Sequence, residues 1–388
     1  MLLSRPIHLV VQRRDRPEFS LDDLLQGGVG VLAVAEWVAL APHLSREVVV
    51  DLADLEVLDA MPAQAIPRAM LEARFPSDRI ARLVHEGLLI GDHAEHQMLR
   101  ARDRALRDTA WWTPAVVAHA FGRWEGMDIA ANEARDGKRT LDQLIALNGP
   151  PPAETVELRA RESWQSLARP EATALDSLLA ARSTCRNFDG AQSVPLDDLG
   201  QMLHRVFGAQ ARQALSPHAS ILKKNSPSGG GLHPIEAYLL VQRVAGLPAG
   251  LYHYQCVEHA LEPLRLLEPE QLAACAHDLV AGQRWFADAP VLVLMAARFQ
   301  RTFWKYRNHA KAWRVVQLDA GHLSQSFYLS ATEQGYGAFI TGAINDHCAE
   351  SLFELDGLST GAIAVCGFGP RGGDHDWAEF DPLGKAKR

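Results

Sequence analysis

The spacing of apolar positions changes partway along this chain. Up to about residue 147 they recur at helical intervals in short stretches. Ser77 to Gly91 is the clearest of these: a serine cap precedes a stripe at Ile80, Leu83 and Val84, and Gly87 stops the helix ahead of a short apolar strand. A helix followed by a small hairpin predicts a winged helix-turn-helix, a module that serves to bind DNA, a peptide or a neighbouring domain. Asn148-Gly149-Pro150-Pro151-Pro152 then breaks any helix or central strand. The expected organisation is a mostly helical, winged-helix-like domain over residues 1–147, a linker with a connecting helix over 148–170, and a second domain over 171–388.

Beyond Glu154 helical stretches alternate with buried strands. Helices are expected at Ala172 to Ala181, Leu196 to Gln210, Ala312 to Gln334 and Asp346 to Leu355. Strands are expected at Ile235 to Val244, Val291 to Ala297 and Gly361 to Phe368. This is an α+β pattern. It holds neither a G-x-G-x-x-G turn after a strand nor a G-x-x-x-x-G-K-[ST] loop, so an ATP-driven step would need another protein.

Composition narrows the class. With 388 residues, 47% of them hydrophobic, the chain can bury a large core. No uncharged apolar run is long enough for a membrane span and the amino terminus lacks signal-peptide order, which places the protein in the cytoplasm. The five cysteines are dispersed and odd in number, against both a disulfide framework and a zinc site. A net charge of −8 argues against broad nucleic-acid affinity. Arginines between Arg100 and Arg107 read as a solvated helix face. Asp92, His93, Glu95 and His96 read as surface residues, because two histidines three apart without a third ligand make a weak metal signal. No metal site is expected.

Four stretches and one further arginine carry candidate chemistry. Arg182-Ser183-Thr184-Cys185-Arg186-Asn187-Phe188 joins two arginines to two hydroxyls; it reads as a phosphate grip or as arginines at a helix end. Pro227-Ser228-Gly229-Gly230-Gly231 removes Cβ atoms from a short piece of backbone. It is a flexible loop or a bed for a planar group. Lys305-Tyr306 is a proton-handling pair if the fold brings it to a site, since an ammonium stabilises a phenolate. In Thr341-Gly342-Ala343-Ile344-Asn345, Asn345 is the expected cap of the next helix. Arg371, following a glycine-ended strand, offers a third cation to join Arg182 and Arg186. His322 reads as a core histidine.

In this order the four stretches and the terminal arginine segment resemble the FMN-dependent nitroreductase superfamily, and its peptide-modifying branch of SagB-type and McbC-like azoline dehydrogenases. Arg182 to Phe188 is similar to the R-x-S-x-R-x-F segment, which implies FMN phosphate contacts from Arg182, Thr184 and Arg186 with Ser183 adjacent. Pro227 to Pro234 is similar to P-S-G-G-x-x-x-P, which implies that Pro227, Ser228, Gly229, Gly230 and Gly231 back the isoalloxazine. Lys305-Tyr306 matches the branch's catalytic pair. Thr341-Gly342 resembles the segment near flavin N5, and Gly367 to Arg371 the terminal phosphate-binding segment. Two departures stand out: Gly231 replaces the asparagine of simple nitroreductases, and Ala181 precedes Arg182 where many members carry two arginines.

The resemblance implies a homodimeric FMN enzyme that oxidises thiazoline or oxazoline rings of a ribosomally made precursor peptide, with Lys305 or Tyr306 as base and a cyclodehydratase as partner. The alternatives are a general NAD(P)H-dependent nitro- or quinone reductase, and a non-catalytic protein that binds a leader peptide or DNA.

Overall fold

The run Val291–Arg298 fixes the architecture. Every residue in it except Arg298 is buried, as expected of a strand covered on both faces. In the computed structural model, which describes residues 1–137, 140–373 and 377–384, this strand lies inside a six-stranded sheet. The strand order is Ala260–Leu266, Gly250–Gln255, Ile235–Val241, Val291–Arg298, Thr360–Gly369, Gly337–Thr341, and every neighbouring pair is antiparallel.

Alternation along the strands sends side chains to two separate cores. Val291, Val293 and Met295 pack on one face with Leu203, Val206 and Phe327, from the helices Leu196–Val206 and Ala312–Glu333. Leu292, Leu294 and Ala296 pack on the other with Leu272, Leu279, Phe286 and Phe353. The expected strands and helices of the second domain are present. The strands Gly250–Gln255 and Ala260–Leu266 and the exposed hairpin Ala211–Ser216/Ala219–Lys223 were not among them.

The first 50 residues depart from the helical expectation. Val10–Phe19, Val31–Leu40 and Glu47–Val50 form an antiparallel sheet. The helix Ser77–His85 is present, but the strand after it, Ile90–Gly91, pairs with Leu2–Ser4 at the amino terminus and not with a following hairpin arm. Leu3, Val57, Leu71, Ile80 and Leu83 form a separate core here.

The chain break and the packing break do not coincide. Helix Leu141–Asn148 ends at Gly149, and the exposed linker after it holds only the 3-10 turn Arg161–Ser163 where a connecting helix was expected. Yet Leu106, Trp111, Ala115 and Val116 already belong to the core of the six-stranded sheet. Trp111 Nε1 donates to the Leu358 carbonyl at 2.8 Å. His119, pushed down to about 4 by burial and therefore neutral, bonds the Gly357 carbonyl through Nε2 at 2.8 Å. The Asn345 amide bonds the Met127 and Asp278 carbonyls instead of capping its own helix.

The arginines 100–107 are mostly staples and not a solvated face. Arg100 bonds the Gly91 and His93 carbonyls, and Arg102 the His43 carbonyl. Arg107 bonds Asp103 and the Arg5 carbonyl. His96 is buried with Nδ1 accepting from the Gly91 N–H, so it is no surface residue.

Candidate active site

Sheet register sorts the candidate stretches by position. Ile235 pairs with Ala297 and Arg298 with Thr360, so the glycine loop just before Ile235 and the Lys305-Tyr306 pair just after the helix Phe299–Phe303 lie at one end of the sheet. Gly337 pairs with Gly369 at the opposite end, from which the chain runs on to Arg371.

The glycine loop is clamped and is not a flexible connector. Ser228 Oγ donates to Asp319 Oδ2 at 2.5 Å, and the Gly229 N–H donates to Asp319 Oδ1 at 3.2 Å. The His233 N–H donates to Ser228 Oγ at 2.8 Å and closes the turn. Ser226 and Ser326 share a hydrogen bond of 2.8 Å. His322, exposed and not a core residue as expected, bonds the Pro227 carbonyl at 3.2 Å. All these anchors lie on the helix Ala312–Glu333. Asp319, His322 and Ser326 share one face of it at i, i+3 and i+7, and that polar stripe was the overlooked sequence signal.

Two glycines are required by close approach. A methyl group on Gly229 would stand 2.1 Å from Val315 Cγ1. One on Gly230, whose φ is +70°, would stand 2.7 Å from Tyr306 Oη and 3.1 Å from Lys305 Nζ. The polar ends of Lys305 and Tyr306 therefore meet over the same Cβ-free spot. Gly230, Gly231 and Lys305 line a cavity of about 850 Å³, with Trp304, Arg301 and Arg307 on its walls.

The arginine segment divides between two sides. Arg182 lies over the Tyr328 ring at 5.3 Å, and Thr184 Oγ1 shares a hydrogen bond of 2.9 Å with Tyr328 Oη. Burial raises the Tyr328 phenol, which remains a neutral hydroxyl and accepts from the Ile340 N–H at 3.2 Å. The expected convergence of Arg371 with Arg182 and Arg186 is not what the side chains do. Arg371 donates to Ser183 Oγ at 2.8 Å and pairs with Glu379 at 2.8 Å. Glu379 also accepts from the Arg186 and Asn187 N–H groups, at 2.6 and 3.1 Å, and from Asn187 Nδ2. Among the described residues the Arg186 guanidinium reaches the Ala378 carbonyl alone. No sequence pattern marked Glu379, which lies outside every candidate stretch.

Thr341 is buried and held by Gln283 Nε2, which donates to Thr341 Oγ1 at 3.1 Å and to the Ala343 carbonyl at 2.8 Å. Gly342 stands open, with nothing within 4 Å of a methyl placed on it. Among the described residues no group of three or more His, Cys, Asp or Glu side chains is placed to hold a metal, and no helix is long and apolar enough to cross a membrane.

An antiparallel sheet is thus sandwiched by helices, with a clamped glycine turn facing a lysine and a tyrosine at one of its ends. Residues 179–369 match the model of the nitroreductase family and form a nitroreductase-family domain. MJ1384 of Methanocaldococcus jannaschii, named as a nitroreductase, is 28% identical over 47% of this chain and 84% of its own length. Trifolitoxin-processing protein TfxB of Rhizobium leguminosarum bv. trifolii is 30% identical over 37% of this chain, and microcin B17-processing protein McbC of Escherichia coli is 26% identical over 40%. The matches span 39% of TfxB and 57% of McbC. The solved E. coli microcin synthetase McbBCD complex with truncated pro-peptide aligns with 70% of this chain and 92% of its own at 18% identity, with a TM-score of 0.42.

Proposed function

We propose that this chain is an FMN-dependent dehydrogenase of ribosomal peptide maturation, oxidising thiazoline or oxazoline rings to thiazoles or oxazoles. The observation that carries the reading is the meeting of Lys305 Nζ and Tyr306 Oη over Gly230. Similarity to two peptide-processing proteins supports it. The residues fit FMN. Gly230 and Gly231 present backbone without side chains to the cavity, while Arg182 and Thr184 supply a cation and a hydroxyl for a phosphate.

When bound, FMN supplies the two-electron acceptor for hydride from the ring carbon that was the residue's β-carbon. The chain's own part is position and the proton. Lys305 or Tyr306 takes the proton from the former α-carbon, and the clamped loop fixes where that carbon can lie. The cyclodehydratase that makes the ring is a separate partner, and the enzyme works as a homodimer.

The test is incubation of the yellow, FMN-loaded protein with an azoline peptide, followed by mass spectrometry. Loss of two hydrogens, localised to the ring by fragmentation, is expected. Turnover of NADPH with nitroaromatics but none of the peptide overturns the reading in favour of a general reductase.

A further inference from the structure

The cavity above Gly230 meets a second one of about 520 Å³, and Ser220, Arg298, Arg301 and Thr360 line both. The chain carries a net charge of −8, yet this groove is rich in cations: Lys224, Arg298, Arg301, Lys305 and Arg307. The carboxylates nearby are mostly engaged. Glu236 accepts from Arg298 at 3.1 Å and faces His253 Nε2 at 3.4 Å. Burial pushes Glu236 up, but His253 and Arg298, with the nearby Lys224 ammonium adding to them, outweigh it and hold the carboxyl below its usual range. Asp108 pairs with Arg104 at 3.7 Å.

Two cations in the groove make no contact ion pair with a described residue, although Glu236 acts on Lys224 through space. Arg301 gives Nε and Nη2 to the Leu232 carbonyl, at 3.2 and 3.1 Å, and makes no ion pair with a described residue. Lys224 is 5% exposed, faces the second cavity, and no described group accepts a hydrogen bond from its Nζ. The neighbouring His233, held down to about 4 by burial and then by Lys224, is neutral and adds no competing charge. Cations gathered in one groove of an otherwise acidic protein favour a ligand that brings anionic charge.

We infer that the groove binds an acidic peptide segment: a substrate carboxylate pairs with Lys224 and Arg301 while a neighbouring residue lies over Gly230. This rests on the peptide reading above and names the substrate class of the same site. The carboxylate is a Glu or Asp side chain or the peptide's own C-terminus. The two sources share one chemistry and are told apart below.

The test uses the full-length FMN-loaded chain and fluorescein-labelled thiazoline peptides that differ only in Glu against Gln beside the ring, or in a C-terminal acid against an amide. Binding is read by anisotropy. A carboxylate form is expected to bind about tenfold tighter than its neutral counterpart, an advantage that shrinks with added salt. The pair showing it identifies the source. Lys224→Met and Arg301→Gln should each erase most of the preference. Equal binding in both pairs, or a preference that survives both substitutions, overturns the inference. Tight binding of acidic peptide without its oxidation overturns the proposed reaction and leaves this site standing.

Discussion

Ser228 Oγ donates to the buried carboxylate of Asp319 at 2.5 Å, and this bond ties the glycine loop to the longest helix of the fold. Burial raises the Asp319 carboxyl above its ordinary value, against the bonds from Ser228 and the Gly229 N–H. A carboxyl whose pKa is higher folded than unfolded contributes stability that is fully present below the unfolded value and is lost as pH rises through the folded one. Above that folded value the ionised Asp319 therefore costs stability while holding the loop. Asp319→Asn keeps the shape, since its amide oxygen can accept from Gly229 and its amide nitrogen can donate to Ser228. The variant should melt higher than the parent at neutral pH, with the gain fading toward the ordinary carboxylate range. A lower melting temperature at neutral pH would show the charged clamp to be net stabilising.

Lys305 and Tyr306 can be separated from the flavin. Lys305→Ala and Tyr306→Phe remove only the groups that meet over Gly230 and leave the loop's bonds to Asp319 intact. Each variant should stay yellow and lose at least about tenfold in turnover, within reach of the hundredfold or more that acid–base help supplies. Gly230→Ala should do the same by another route, because φ of +70° and the nearby Tyr306 hydroxyl both oppose a methyl group. Full turnover in both Lys305→Ala and Tyr306→Phe would remove the pair from the mechanism.

Legibility followed the range of the forces involved. The strand Val291–Arg298 and the helix Ala312–Glu333 were visible because burial on one or two faces writes a period into the sequence. The helix Ser77–His85 was visible for the same reason, but its following strand pairs with Leu2–Ser4, and nothing local records a partner so distant in the chain. The glycine loop and Lys305-Tyr306 could be singled out as stretches, whereas their meeting depends on the register of Ile235 with Ala297. Arg100, Arg102 and Arg107 look like a solvated face in sequence because the acceptors of Arg100, most of those of Arg102 and one of Arg107 are backbone carbonyls, which carry no residue code.

Trp111 tests where the second domain begins. It is wholly buried against Phe299, Phe303 and Trp313, although it precedes the proline-rich break by some forty residues. Trp111→Ala should cost about 3–5 kcal/mol in denaturant unfolding, as for other large aromatic deletions in cores. A chain cut to residues 150–388 loses Leu106, Trp111, Ala115 and Val116 together and should not fold cooperatively. A sharp unfolding transition from that fragment would restore the boundary at the linker.

Arg182 and Arg371 resemble one phosphate site in sequence and occupy different surroundings in the fold. Arg371 is spent on Ser183 and Glu379, with the pair largely buried, while Arg182 faces the Tyr328 ring. Removing one member of a buried pair costs up to about 3–5 kcal/mol, so Glu379→Ala should lower stability by a few kcal/mol and yet retain bound flavin. Arg182→Ala combined with Arg186→Ala should do the opposite, with little change in unfolding of the flavin-free protein and loss of the yellow colour on gel filtration. A colourless Arg371→Ala beside a yellow Arg182→Ala/Arg186→Ala would move the phosphate to the Ser183 side. Glu379 would then be the residue that competes with it there.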